Sequence, residues 1–200
     1  MNFLEELRGG VSEVGSALRE PEAFALRWQE QGREGVEPLS PAVFMLLTLT
    51  AILCTSAYGF TMGLGQSGLI MIQKGINAPL AAGLAWLVSL PTLYIINSLS
   101  GSKLNPATTT LAALITVSFG ALAMLASVPI NWFFTVAIAK PGFTLFINMI
   151  IFAGVGVSMS NVFIRVMKAL EPHRRFPALW LGLVTAVGSE LFYLLGLFRF

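Results

Sequence analysis

Phe143-Thr-Leu-Phe-Ile-Asn-Met-Ile-Ile-Phe-Ala-Gly-Val-Gly-Val-Ser-Met-Ser-Asn-Val-Phe163 carries no charged side chain, and the positions just beyond it supply Arg165, Lys168, His173, Arg174 and Arg175. At the α-helical rise, a run of this length reaches about 30 Å, the thickness of a bilayer's hydrocarbon core. The stretch therefore reads as a membrane span with a basic end. Lys and Arg are retained on the cytoplasmic side of spans, so that end is expected to lie inside.

Four further apolar segments share this character: Ala42 to Gly63, Ala78 to Leu99, Ala107 to Val128 and Ala178 to Phe198. Each has the length of a helical span, about twice that of a barrel strand, and none alternates in polarity as a barrel strand would. The expected fold is an all-α integral membrane protein of five transmembrane helices at residues 41–200. An acidic, amphipathic cytoplasmic segment at residues 1–40 precedes them. Pro41, Pro79, Pro106, Pro141 and Pro177 each stand at the start of one segment. That is where proline is tolerated, because the N–H it lacks has no partner in a first helical turn.

Composition supports the same class. Hydrophobic residues make up 56% of the 200 positions and charged ones only 11%, which excludes a disordered chain and an ordinary soluble domain. The basic residues are divided among loops and the formal charge is only +2, so nucleic acid is not an expected partner. With five spans, one face carries Arg8, Arg19, Arg27, Arg33, Lys103, Arg165, Lys168, Arg174 and Arg175, and the other Lys74, Lys140 and Arg199. This bias places the N terminus in the cytoplasm and the C terminus outside, most simply in the cell membrane. The apolar connector Ile130 to Ala139, with Trp132, Phe133 and Phe134, is too short to cross and is expected at the interface rather than as a re-entrant loop.

Residues 1–40 hold eight of the ten acidic side chains. Leu4, Leu7, Val11, Val14 and Leu18 recur at three and four residues, giving a helix one apolar stripe. Two uses fit this stripe. It can lie on the bilayer or on the protein's own loops, or it can dock a cytosolic partner or a second copy, since the same spacing makes a short coiled-coil seam. Pro21 interrupts the pattern, and Phe24, Leu26 and Trp28 suggest a second short helix.

Several local patterns invite a sharper reading. Asn105-Pro-Ala107 resembles the first pore triplet of aquaporins, but a pore of that kind needs a second triplet and the chain has none. Asn105 as helix cap with Pro106 in the first turn explains the same letters. Gly63, Gly65 and Gly68 have dinucleotide-loop spacing but follow an apolar helix instead of a strand. Gly59 with Gly63, Gly154 with Ser158 and Gly182 with Ala186 are small residues four apart, as in faces where membrane helices approach closely.

Glu190 falls inside the last span, where a carboxylate must be paired, protonated or hydrated. The external Lys74 and Lys140 are its candidate ion-pair partners. Asn97, Asn148 and Asn161 are further polar residues within or near spans, suited to interhelical hydrogen bonds. The chain has one His, one Cys and no Asp, so a hydrolytic triad, a metal site and a cofactor site are not expected.

Leu18-Arg-Glu-Pro-Glu-Ala-Phe24, a polar stretch and Glu37-Pro-Leu-Ser-Pro41 lead into closely spaced spans. This layout resembles the Yip family of small five-span membrane proteins and its loosely related bacterial members. The resemblance implies a cytosolic N terminus, no enzymatic activity, and a role in membrane organisation or in assembling other membrane proteins; it names no site residue. Two functional expectations follow. The first is a non-enzymatic scaffold or assembly factor embedded in the bilayer, acting as a homo-oligomer or as a subunit of a membrane complex. The second is a homo-oligomeric channel or small transporter, with Glu190 in a wet cavity.

Overall fold

The prolines and glycines that punctuate the chain set where its helices start and stop. In the computed structural model, which describes residues 3–33, 41–99, 101–138, 140–173 and 178–199, every regular element is an α-helix. These are α1 (Phe3–Arg19), α2 (Pro21–Arg33), α3 (Pro41–Met62), α4 (Gly68–Leu99), α5 (Pro106–Ile138), α6 (Pro141–Leu170) and α7 (Ala178–Leu194). The four helices α3 to α6 are long and apolar enough to cross a membrane; α7 is apolar but has 17 residues.

Three of the expected starts hold: Pro41, Pro106 and Pro141 each open a helix. Pro177 lies outside the described residues, one position before α7 begins. Pro79 does not start a helix. α4 runs 32 residues from Gly68 and contains both Pro79 and Pro91. The connector expected at Ile130 to Ala139 is likewise helix through Ile138, because α5 continues past Pro129. The physical reason is common to both. Within a long helix each proline removes one backbone donor, and packing against neighbouring helices compensates for the lost bond.

The ends are closed by local hydrogen bonds. Thr108 N–H donates to Asn105 Oδ1 at 2.7 Å, so Asn105 is the cap of α5. Gly101 and Gly196 adopt positive φ, 77° and 72°. Each follows a helix C-terminus, with the next residue's N–H reaching back to Asn97 O or Phe192 O, the geometry of a Schellman cap. After Gly196 the chain folds inward and Leu197 is fully buried.

α3 runs between α4 and α5, α6 packs on α5, and α7 packs on α4. Three apolar clusters fill the bundle. One joins Val14, Ala17, Phe24 and Trp28 of α1 and α2 to Val43, Leu47, Leu111 and Ile115. A second gathers Phe163, Val166 and Met167 of α6 around Leu93 and Trp180. The third, at the opposite end, holds Tyr58, Met62, Ala78, Met124, Phe192 and Leu197. The two N-terminal helices therefore sit on the end where α3 and α5 begin, and their apolar stripe is partly spent there. Val14 is buried and Leu18 half-buried against the cluster, whereas Val11 is exposed; the side chains of Leu4 and Leu7 lie outside those described. Glu22 pairs with Arg165 of α6 at 3.1 Å, an exposed contact worth little beside the buried apolar surface.

α3 and α4 approach each other backbone to backbone. A Cβ at Gly59 would stand 2.5 Å from the Lys74 carbonyl oxygen and 2.7 Å from Ala78 Cβ. One at Gly63 would meet the backbone of Met71. Gly59 and Gly63 are thus an internal packing face. Gly154 and Gly182, by contrast, have nothing within 4 Å of an added Cβ. Gly59→Leu should separate α3 from α4 and destabilise the fold by about 1–3 kcal/mol or more. Gly154→Leu should be tolerated, and thermal unfolding of both variants in mild detergent compares them.

Candidate functional site

Asn131 and Thr135 on α5, and Thr144 and Asn148 on α6, are two amide–hydroxyl pairs each four residues apart, on either side of the α5–α6 turn. Residues four apart share a helix face, and the antiparallel packing of α5 and α6 brings the two faces together beside α3. There Tyr58 Oη donates to Asn148 Oδ1 at 2.7 Å. Asn148 Nδ2 donates to Asn131 Oδ1 at 3.1 Å and to Thr144 O at 2.8 Å. Asn131 Nδ2 donates to Thr61 Oγ1 at 2.9 Å, and Thr61 Oγ1 donates to Tyr58 O at 2.7 Å. Thr135 Oγ1 donates to Asn131 Oδ1 at 3.5 Å. Tyr58, Thr61, Asn131, Thr135 and Asn148 enter through side chains, Tyr58 and Thr144 through backbone carbonyls, and all six residues are buried. The cluster contains no carboxylate, imidazole or thiol among the described residues, and its amide donors and the Tyr58 phenol are engaged internally. It ties three helices together. Each interhelical bond of this kind contributes about 0.6 kcal/mol on average in membranes.

Of the intramembrane amides expected to matter, only Asn148 belongs to this cluster. Asn161 is exposed. Asn97 is buried at the far end of α4, where its Nδ2 has no partner among the described residues; Ser89 Oγ, two turns earlier, is in the same state. The Ser89 carbonyl accepts the indole N–H of Trp180 at 2.9 Å, which fixes the start of α7 against α4. Tyr58 and Asn131 were missed by the sequence reading. Neither carries a local signal that ranks it above other polar residues of the apolar runs, and Asn131 falls in the stretch expected to be a connector.

Lys74 lies within α4, not in an external loop, and is 3% exposed. Its ammonium donates to the carbonyl of Met62, the last residue of α3, at 3.3 Å, and to the carbonyl of Arg199. It thereby satisfies an orphan carbonyl at a helix C-terminus and fastens the C-terminal turn over the bundle. Asn77 Nδ2 adds a bond to Leu195 O at 2.9 Å. Lys140 is exposed at the N-cap of α6. The expected pairing of Glu190 with Lys74 or Lys140 is therefore not formed. Glu190 is exposed and makes no hydrogen bond or ion pair among the described residues. The reason is placement: Glu190 points away from α4, and Lys74 is held by carbonyls beneath the C-terminal turn.

A groove of about 400 Å³ lies between α3, α4 and α5, lined by Phe44, Ala51, Ile52, Trp86, Leu87 and Leu114 among others. Its hydroxyls, Thr48, Thr55 and Thr110, are turned back onto carbonyls four residues earlier in their own helices. The groove thus presents a predominantly apolar lining. No cluster of three His, Cys, Asp or Glu side chains able to hold a metal occurs among the described residues.

Comparison of the chain with protein-family models, with curated proteins and with solved structures finds no match. Lys74→Met keeps the apolar stem but removes both capping bonds. It should cost about 1–3 kcal/mol by leaving a buried carbonyl unpaired and should speed proteolysis after Leu194, read by limited digestion in detergent.

Proposed function

We propose that the chain is a non-enzymatic, multi-pass membrane protein that acts as a scaffold or assembly factor, organising other membrane components around itself. In this reading α7 is the fifth span, the N terminus is cytoplasmic, the C terminus is external, and the protein resides in the cell membrane. The nine-to-three distribution of Lys and Arg supports that orientation. The 17 residues of α7 rise about 26 Å, and the turn after Leu194 lengthens the apolar stretch.

The observation that carries the reading is how the interior is filled. The hydrogen-bonded cluster of Tyr58, Asn131 and Asn148 closes on itself. Apolar clusters occupy the bundle at both of its ends. A single copy so packed offers no polar route for a solute, while its outer faces remain free for neighbours. The role implied by the resemblance to the Yip family is the same.

Purified protein in liposomes should give no Na⁺, K⁺ or H⁺ flux above protein-free vesicles. Selective flux that falls in E190Q would overturn this reading and favour the oligomeric channel. In a Cys54→Ala background, cysteines placed at Phe3 and Phe200 should react with impermeant reagent from opposite sides of the membrane.

A further inference from the structure

Gly182, Ala186, Ser189, Glu190 and Tyr193 recur at three and four residues along α7, so they share one side of that helix. All five are exposed. The opposite side is the one that packs: Gly188 faces Ala85 of α4, its nearest neighbour at 3.9 Å, and Phe192 is buried in the apolar cluster at the far end.

The height of Glu190 follows from two contacts. Gly188 stands beside Ala85, and Leu195 O accepts from Asn77. Glu190, between Gly188 and Leu195, is therefore level with the stretch of α4 near Gly83, about the middle of that 32-residue helix. Because α7 is short and set low against α4, a residue near its own C-terminal end faces outward at mid-bundle. A lone carboxylate facing lipid at that depth is strongly disfavoured, and among the described residues it has no partner. The face is unfinished.

Its chemistry selects what finishes it. Of the described exposed cations, Lys103, Lys140, Arg165, Lys168 and Arg199 lie in the connecting turns or within the last turns of helices, Arg19 and Arg27 lie on α1 and α2 at the end of the bundle, and Lys74 is buried beneath the C-terminal turn. A second copy in the same orientation would set carboxylate, the hydroxyls of Ser189 and Tyr193, or hydrocarbon at this level, and no described cation. We propose that the Gly182–Ala186–Glu190 face of α7 docks a transmembrane helix of a different protein that carries one Lys or Arg near mid-membrane. Gly182, Ala186 and Ser189 let the two backbones approach closely, and Glu190 pairs with the incoming cation, in a site from which water is excluded and such a bond is strong. This deepens the assembly-factor reading and rests on it, since it specifies the partner such a factor would hold.

The test uses the full-length chain, labelled with a fluorescent donor, in phosphatidylcholine vesicles. Acceptor-labelled leucine-rich single-span peptides are added that differ only at their central residue: Arg, Leu or Glu. The Arg peptide should associate at least tenfold more tightly than the Leu peptide. Glu190→Gln, which touches no contact within the chain and should leave thermal stability unchanged, should erase that preference. Glu190→Arg should transfer it to the Glu peptide, an outcome that a merely structural role for the residue would not produce. Equal binding of Arg and Leu peptides, an Arg preference that survives E190Q, or Glu190-dependent self-association in place of peptide binding would each overturn the proposal. Ion flux is recorded in the same vesicles. Absence of both flux and Arg preference refutes only the α7 interface, whereas flux refutes the scaffold reading itself.

Discussion

A bilayer offers no water to a buried hydroxyl or amide, so every polar side chain inside a membrane bundle must find its partner within the protein. In this chain that requirement is met chiefly by one closed set of bonds, in which Tyr58 donates to Asn148, Asn148 to Asn131 and Asn131 to Thr61. Because these residues come from α3, α6 and α5, the set can form only when all three helices share one register. A one-residue slide of α6 along α5 would strand two amides in hydrocarbon. Apolar packing has no such preference, since lipid tails are as apolar as leucine. The polar cluster thus selects one arrangement from the many that would bury the same surface.

Once α3 is fixed, α4 follows through backbone contact. Gly59 and Gly63 let α4 come close enough for the Lys74 carbonyl to occupy the space of a Cβ. That approach carries the Lys74 ammonium to the end of α3, where it meets the Met62 and Arg199 carbonyls. The C-terminal turn is held there, Asn77 grips Leu195, and Trp180 anchors the other end of α7 to Ser89. α7 is pinned at both ends along α4, and its outward side is left bare with Glu190 upon it. The exposed carboxylate is thus a consequence of how the interior was closed.

The helical class was legible in the apolar runs, and so were several boundaries. Pro41, Pro106 and Pro141 mark starts because a first turn needs no proline N–H, and Asn105 announces a cap because its amide oxygen can take the orphan donor. Pro79, expected to open a helix, lies inside one. The spacing of proline cannot distinguish a helix start from a position within a helix that packing against its neighbours holds together. Lys74 was assigned to a loop because hydropathy penalises a charge without regard to the carbonyls that receive it. Of the polar residues, Asn148 could be singled out by its position in an uncharged run. Tyr58 and Asn131 could not, since their importance comes from a three-helix junction, and which helix faces which is not written in local spacing. Glu190 was recognisable as costly, but its lack of an internal partner depended on the rotation of α7.

The packed interior leaves the bare face of α7 and the apolar groove on the outside of the bundle, the surfaces that the proposed scaffold would use. This account stands or falls on the claim that the Tyr58–Asn148 bond couples α3 to α6. A double-mutant cycle with Tyr58→Phe and Asn148→Ala, read as unfolding free energy in bicelles, tests it most directly. The account predicts a coupling of about 0.6–1.7 kcal/mol; strictly additive effects would contradict it.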